Sequence, residues 1–481
     1  MDYLTKITCD RPKPSSVKTH RNLVEETESD RGRIIQSAAI RRLQQKTQVY
    51  PLETNAAVRS RLTHSLEVQQ TGRYLSRTIL AKFQAADALE IHGLASIETA
   101  FTNLVEMACL MHDVGNPPFG HFGEETISCW MAEHAAECHR KSLKGKDGHT
   151  SLFRETLLPD LCVFEGNAQG LRIIHTLQEL NLTYSQIAAL MKYTRPPYQP
   201  RPGKHQPFHY HQKKPGFYYS EEPLVRQLWQ SLNIAEGCRF PLVYIMEAAD
   251  DIAYCIADLE DAVDKGILSF RELQYRLKEV WQEFSGNDNT YLLDIIKEAR
   301  SDAGSQTFII RLRTRLVRDL VDYASSRYLE NHQAIYNGTL DEPLIDGGSS
   351  QHLALKTLKT VAIRHIFNNR EKETPELRGY SALTGLMNIY RPLLELPRKQ
   401  FEAIAYQDDG GLFIQQRLYH RLSRKYKAAY CSAVQQAEQT VTSENLNNDL
   451  EWYYRARLII DYISGMTDHF VVAEFQSLSA I

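Results

Sequence analysis

The chain has no apolar run long enough to cross a bilayer, which takes about 20 residues, anywhere in its 481 residues. Its opening MDYLTKITCDRPKPSS has no apolar leader core either, so a membrane span and a secretory signal are both excluded and a cytoplasmic protein is expected. The eight cysteines (Cys9, Cys109, Cys129, Cys138, Cys162, Cys238, Cys255, Cys431) contain no Cys-x-x-Cys pair and no regular spacing. That argues against a disulfide framework and for reduced, scattered thiols. Charge of one sign is also missing: the net charge is −3, so any polyanion has to be met by a local basic patch rather than by a global field. Internal repeats and convincing strand alternation are absent as well. With 43% hydrophobic and 24% charged residues, the chain has the makings of a soluble, mainly α protein with a sizeable core.

The helical pattern begins in DRGRIIQSAAIRRLQQKTQV, where Ile34, Ile35, Ala38, Ala39 and Leu43 recur at helical spacing and Asp30 suits an N-cap. A helix is expected from about Ala56 to Ala81. Another is expected from about Ile97 to Val114, with Gly115 as a left-handed cap and Asn116-Pro117-Pro118 forbidding continuation. A further helix is expected from about Pro241 to Val263. Between Tyr193 and Pro223 lie seven of the eighteen prolines, interleaved with Arg195, Arg201, Lys204, Lys213 and Lys214. That stretch reads as an irregular excursion over the body or as a lid.

Candidate chemistry is concentrated in MHDVGNPPFGHFGEE, Met111 to Glu125. His112 and Asp113 are adjacent, and His121 and Glu124 follow beyond the Gly/Pro break. With His64 in RLTHSLEV and Asp250 in MEAADDIAY, the order is His…His-Asp…Asp. Mixed imidazole and carboxylate donors suit a divalent metal, Mn²⁺ or Co²⁺ by ligand type and Mg²⁺ by availability. Neighbours on a helix point about 100° apart, so His112 and Asp113 share an ion only if it lies between their directions. His121 and Glu124 are three apart, on one face of a helix restarting after Pro118. A carboxylate on one imidazole nitrogen fixes the tautomer and raises the basicity of the other. Tyr254, four residues after Asp250, shares its face and is either core or a platform for a sugar.

At these residues the chain resembles the bacterial deoxyguanosinetriphosphate triphosphohydrolases of the HD phosphohydrolase superfamily. The likeness runs through SDRGRIIQSAAIRRLQQKTQVYPLE, NAAVRSRLTHSLEVQQ, HDVGNPPFGHFGEE, EGNAQGLRIIHTLQ, MKYTRPP, KKPGFYYSEE, MEAADDIAYCIADLEDAV and DYISGMTD. It implies an HD-domain helical core with an additional helical C-terminal region: residues 1–54 an N-terminal helical segment, 55–275 the HD domain, and 276–481 a region making subunit contacts. It implies hydrolysis of dGTP to deoxyguanosine and tripolyphosphate by a tetramer or hexamer that needs a divalent metal. His64, His112, Asp113 and Asp250 match the metal ligands, and His121 and Glu124 the catalytic pair. Gln48 and Val49 match the nucleoside segment, Tyr254 the residue against deoxyribose, and Asn167, Lys192 and Lys214 the phosphate contacts. Phe367 and Glu376 match residues reaching guanine from a neighbouring subunit, where a carboxylate can accept from N1–H and the 2-amino group. Arg417 lines up with a basic position. The acidic loop at 407–411 departs from a related enzyme that is basic there, which puts a nucleic-acid contact from it in doubt. A competing reading takes Arg41, Arg42 and Lys46 with Arg424, Lys425 and Lys427 as a groove for single-stranded DNA, whose signature is a steep salt dependence; the resemblance itself leaves single-stranded DNA open as a modulator.

Overall fold

Helix α1 (Leu23–Ile35) opens on Asn22, whose side chain accepts from the Glu25 N–H while Glu25 bonds back to the Asn22 backbone. This reciprocal cap satisfies two orphan donors of the first turn and starts the helix well before Asp30. Asp30 is therefore no cap. It is buried inside the helix, paired with Arg11 and accepting from the backbone and hydroxyl of Thr183, and so pins the N-terminal arm to the body. The computed structural model describes residues 1–15, 21–145, 150–286, 288–300, 305–407 and 411–479. Among them regular structure is helical, and the only β pairings are isolated bridges at Thr47 with Ser60 and Arg195 with Pro215.

Three helices carry the centre. Helix α2 (Arg61–Ala85) begins at Ser60, which forms a capping box with Thr63, so it starts five residues and ends four residues later than the hydrophobic pattern suggests. Helix α3 (Glu98–Met111) is buried from Ala100 to Met111 without a break, the pattern of a helix surrounded on all sides. Helix α4 (Gly120–Ser142) restarts the chain after the Pro117-Pro118 break. Downstream, α5 (Gly166–Arg172), α6 (Tyr184–Leu190) and α7 (Val243–Asp264) complete the inner layer. Helices α2, α3 and α7 pack mutually. Gly72 lets α2 and α3 approach, since a β-carbon there would lie 2.5 Å from the Cys109 sulfur.

The C-terminal half wraps this centre. Helix α8 (Ser305–Glu330) packs on α2, α9 (Ser350–His365) on α7, and α10 (Arg370–Glu395) on α4. Helices α11 (Arg424–Thr440) and α12 (Glu444–Ser464) pair with each other, and α13 (Asp468–Ser479) lies on α10. One hydrophobic core runs through all of these elements, across both 54/55 and 275/276. The Pro-rich stretch of residues 193–223 is irregular but anchored: Tyr210 bonds Glu247, buried His211 bonds the Leu340 carbonyl, and Arg195 bonds the Gln212 carbonyl. Those anchors favour the excursion over a lid. The described cysteines are free, and no helix among the described residues is long and apolar enough to cross a membrane.

Candidate active site

Helix α3 ends at Met111, so His112 and Asp113 sit on the turn that leaves it. Gly115 does not take positive φ and is not the left-handed cap that its position suggested. A side chain is excluded there for another reason: its β-carbon would fall 1.9 Å from the Gly166 carbonyl oxygen and 2.2 Å from the Gly170 nitrogen. Gly115 thus marks the place where the turn is pressed against α5. The left-handed residues come later, at Phe119 (φ 64°) and Gly120 (φ 56°), and they swing the chain into α4.

The turn brings the four expected ligands to one point. His64 Nε2 lies 3.3 Å from Asp250 Oδ1, and His112 Nε2 lies 3.5 Å from both that oxygen and Asp113 Oδ1. His64, His112 and Asp113 each present a donor atom within 4.8 Å of the other two. His112 uses Nδ1 against the Cys109 carbonyl at 2.7 Å, which leaves Nε2 with its lone pair toward the cluster, the tautomer a metal ligand needs. Asp113 also accepts from Arg61 Nη1 at 2.7 Å and Asn116 Nδ2 at 2.5 Å. Burial pushes its pKa up, but the Arg61 guanidinium and the two imidazoles outweigh that and bring it to about 2. Asp250, despite burial, is likewise held well below the carboxylate range by His112 and His64. Two imidazoles and two ionised carboxylates, each oriented by a second partner or by the cluster itself, fit a divalent cation.

Beside this cluster His121 Nδ1 meets Glu124 Oε2 at 2.7 Å. The His121 side chain is 81% exposed while that of Glu124 is 9% exposed, so the carboxylate is fixed and the outer face of the ring is open. Glu124 Oε1 accepts from the Gly166 N–H at 2.8 Å. Burial raises the Glu124 pKa, but His121, Lys214 and the Gly166 N–H bring it below its ordinary value.

A cavity of about 310 Å³ joins the two groups. Gln48, Asn167, Lys192, Lys214 and Tyr254 line it with His112, Asp113, His121 and Asp250. Lys192 lies 3.5 Å from Glu247 and Lys214 3.1 Å from Glu165, which also holds the Asn167 amide. Val49, by contrast, is buried in the core and not on the cavity wall. Phe367 packs on Tyr254 of its own chain, ring centres 6.4 Å apart, next to a residue of the cavity wall. Glu376 follows through Lys372, which is 3.1 Å from Glu376 and stands 5.1 Å over the Phe367 ring. Arg417 lies elsewhere, stacked on Phe413 in a separate cavity with Ile414 and Leu478. The Asp408–Gly410 part of the acidic loop is outside the described residues. Lys46, counted among the basic groove residues, is buried and bonds the Asn116 and Ser464 carbonyls.

Two groups were missed from sequence. Lys359 on α9 lines the cavity and donates to Asp251 at 2.8 Å; a lysine on a charged helix gives no sequence signal of its own. Asp258 was legible in principle, lying eight residues after Asp250 and four after Tyr254, hence on their face. It is buried, and burial pushes its pKa up to about 7 against the His64 ring and the Tyr254 hydroxyl. Gln48 Oε1 and the Tyr50 hydroxyl are buried without a hydrogen-bond partner among the described residues.

The HD domain family matches residues 61–161, a span that includes three of the four ligands and both His121 and Glu124. The phosphohydrolase-associated domain family matches residues 414–477. Deoxyguanosinetriphosphate triphosphohydrolases from Yersinia pseudotuberculosis (serotype O:3, strain YPIII) and Serratia proteamaculans (strain 568) are each 44% identical, with 100% of this chain and 99% of the relative covered. The same enzyme of Yersinia enterocolitica (strain NCTC 13174 / 8081) is also 44% identical over 509 residues. Full-length identity at this level, with the ligand cluster assembled where the family motif lies, means that the chain belongs to the deoxyguanosinetriphosphate triphosphohydrolase family, in the HD superfamily.

Proposed function

We propose that the protein hydrolyses dGTP to deoxyguanosine and tripolyphosphate, by attack of water on the α-phosphorus. The observation that carries this reading is one cavity with a metal-fitting cluster, an open imidazole on a buried carboxylate, and lysines on the remaining wall. His64, His112, Asp113 and Asp250 would hold the cation, Mg²⁺ or Mn²⁺, with Co²⁺ as an in vitro substitute. When bound, it supplies Lewis acidity and charge neutralisation at a phosphoryl oxygen. Lys192, Lys214 and Lys359 surround the space left for the phosphates as point charges that do not demand one geometry, and Asn167 adds an amide. Glu124 holds His121 by Nδ1, so Nε2 is the atom that takes a proton from water or returns one to the leaving oxygen.

The nucleoside end has its own logic. The Tyr254 ring stands at the cavity, and Gln48 and Tyr50 present buried polar atoms without a partner among the described residues. A buried acceptor left unpaired costs about 1–3 kcal/mol, and a sugar hydroxyl is a ligand group that removes that cost. Val49, buried beside Gln48, would act through its backbone. Phe367 closes over Tyr254, and Glu376 would accept from the guanine N1–H and 2-amino group, donors that adenine does not offer at those positions.

A homo-oligomer, tetramer or hexamer, is the assembly we propose. Phe413 and Ile414, large apolar side chains left 65% and 54% exposed, lie with Arg417, and a second copy of the chain would cover them. Arg417 would then meet a neighbour's pocket. Single-stranded DNA as a modulator would have to use Arg41, Arg42 and Arg424 with Lys425 and Lys427, without buried Lys46.

Chromatographic identification of products from each of the four dNTPs tests the assignment. Tripolyphosphate and deoxyguanosine, formed fastest from dGTP, are expected. Pyrophosphate with dGMP would overturn it.

A further inference from the structure

The motif DYISGMTD ends in Asp468, at the start of α13 and far in sequence from every group in the cavity. The Asp468 side chain is nevertheless buried against two segments of the active site. Its Oδ2 accepts from the Thr47 N–H at 3.0 Å and from the Thr47 hydroxyl at 2.6 Å. Its Oδ1 accepts from the Phe119 N–H at 3.1 Å. Thr47 immediately precedes Gln48 on the nucleoside wall. Phe119 is the left-handed residue from which α4 departs, two positions before His121. A non-glycine residue in that conformation persists only where its surroundings over-determine it. The Asp468 carboxylate does so from one side, and the Phe119 ring packed against Gly379 does so from the other, since a β-carbon at Gly379 would fall 2.6 Å from that ring. Lys46 adds a parallel tie between the same parts, bonding the Asn116 carbonyl of the metal-site turn and the Ser464 carbonyl that ends α12.

We propose that Asp468 is a positioning residue for the reaction, a single carboxylate by which the C-terminal region holds the His121–Glu124 helix start and the Gln48 segment in fixed register. It touches no reacting atom. Three donors converge on its two oxygens, and an amide in its place can accept on one side only, turning an N–H toward either Thr47 or Phe119. The phosphohydrolase-associated region is then part of the catalytic geometry and not an appendage. The inference rests on the dGTP reading only for its assay substrate.

The test is a double-mutant cycle of Asp468→Asn with His121→Ala, read by kcat and KM for dGTP, with Mn²⁺ affinity by calorimetry and Tm measured alongside. A displacement of the helix start by a fraction of an ångström to one ångström should lower kcat roughly ten- to a hundredfold, with Mn²⁺ affinity kept. In the His121→Ala background the further loss should shrink to about threefold or less, because residues acting through one group are not additive. An undiminished loss in that background, or Mn²⁺ affinity falling in parallel with kcat, overturns the proposal. If Asp468→Asn does not fold, Thr47→Val removes one donor alone: KM should rise about threefold or more and Thr47→Ser should restore it, whereas an unchanged KM overturns the clamp. Amide hydrogen exchange needs no substrate. Asp468→Asn should speed exchange at Thr47 and Phe119 and spare α2 and α7. If the wild-type protein left dGTP intact, the substrate assignment would fall while exchange still decided the clamp, and unchanged protection at both amides would overturn it.

Discussion

Glu124→Gln separates the chemistry of the His121–Glu124 pair from its contribution to the fold. In the wild type the Glu124 carboxylate has two fixed donors, His121 Nδ1 on Oε2 and the Gly166 N–H on Oε1. A glutamine keeps the Gly166 bond only with its oxygen on that side, so its NH₂ turns toward His121 Nδ1. The imidazole must then accept at Nδ1 and carry its proton at Nε2, which leaves no lone pair on the open face. The flipped amide restores the tautomer but sets two N–H groups against each other at buried Gly166. That arrangement costs about 1–3 kcal/mol, a factor of roughly 5 to 150 in population. Positioned proton transfer contributes ~10²–10⁴-fold, so Glu124→Gln should lose at least about fivefold in kcat and approach His121→Ala, which should lose the full ~10²–10⁴-fold. Stability should diverge from activity. His121 is exposed, and its replacement by alanine should leave Tm within a degree or two of wild type, a change of about ±0.5 kcal/mol. Glu124→Ala strands the Gly166 N–H and should cost about 1–3 kcal/mol, while Glu124→Gln should cost less. Steady-state kinetics with dGTP, Mn²⁺ calorimetry and thermal unfolding on the three variants decide the matter. A Glu124→Gln enzyme with wild-type kcat would refute the tautomer argument, and a His121→Ala enzyme that loses the metal would place His121 among the ligands.

His112→Ala and Asp113→Asn should each abolish turnover and weaken Mn²⁺ binding while leaving the fold in place by circular dichroism; wild-type turnover at saturating Mn²⁺ would remove either from the ligand set. In ¹⁸O-water, label should appear in tripolyphosphate if water attacks the α-phosphorus, and in deoxyguanosine if it attacks the sugar carbon. Glu376→Ala should erode the preference for dGTP by roughly one to two orders of magnitude, measured as kcat/KM across the four dNTPs. Glu247 is buried, and although burial raises its pKa, Arg239 and Lys192 bring it down to about 2. A carboxyl depressed from an ordinary 4.5 contributes stability that is complete above pH 4.5 and lost as pH falls toward 2, on the order of 3 kcal/mol. Glu247→Gln should lower stability at pH 7 and flatten the acid limb of a denaturant-midpoint profile in that window.

What could be read from the sequence divides along a physical line. His64, His112, Asp113 and Asp250 were legible because a metal needs particular donor atoms, and few residue types supply them. The i, i+3 spacing of His121 and Glu124 was legible because a helix had to restart after Pro118. The course of α3 was legible from its apolar residues at helical spacing, but not its burial on every side, Asn103 and Glu106 included. The misreadings fall where tertiary packing decides. Asp30 has the composition of a cap, but its carboxylate is spent on Arg11 and Thr183, partners supplied by residues far along the chain. Gly115 has the composition of a left-handed cap, yet its lack of a side chain serves the approach of α5, which no local signal reveals. The contact of Phe367 with Tyr254 was not legible either, because the two residues lie on segments far apart in the chain and packing alone brings their rings together. Lys46 and Asp468 carry the same point further. Each is an ordinary charged residue in a motif, and each is buried because its partners are backbone N–H or carbonyl groups on separate segments. Backbone partners leave no trace in residue type, so a clamp made through them becomes visible only once the chain is folded.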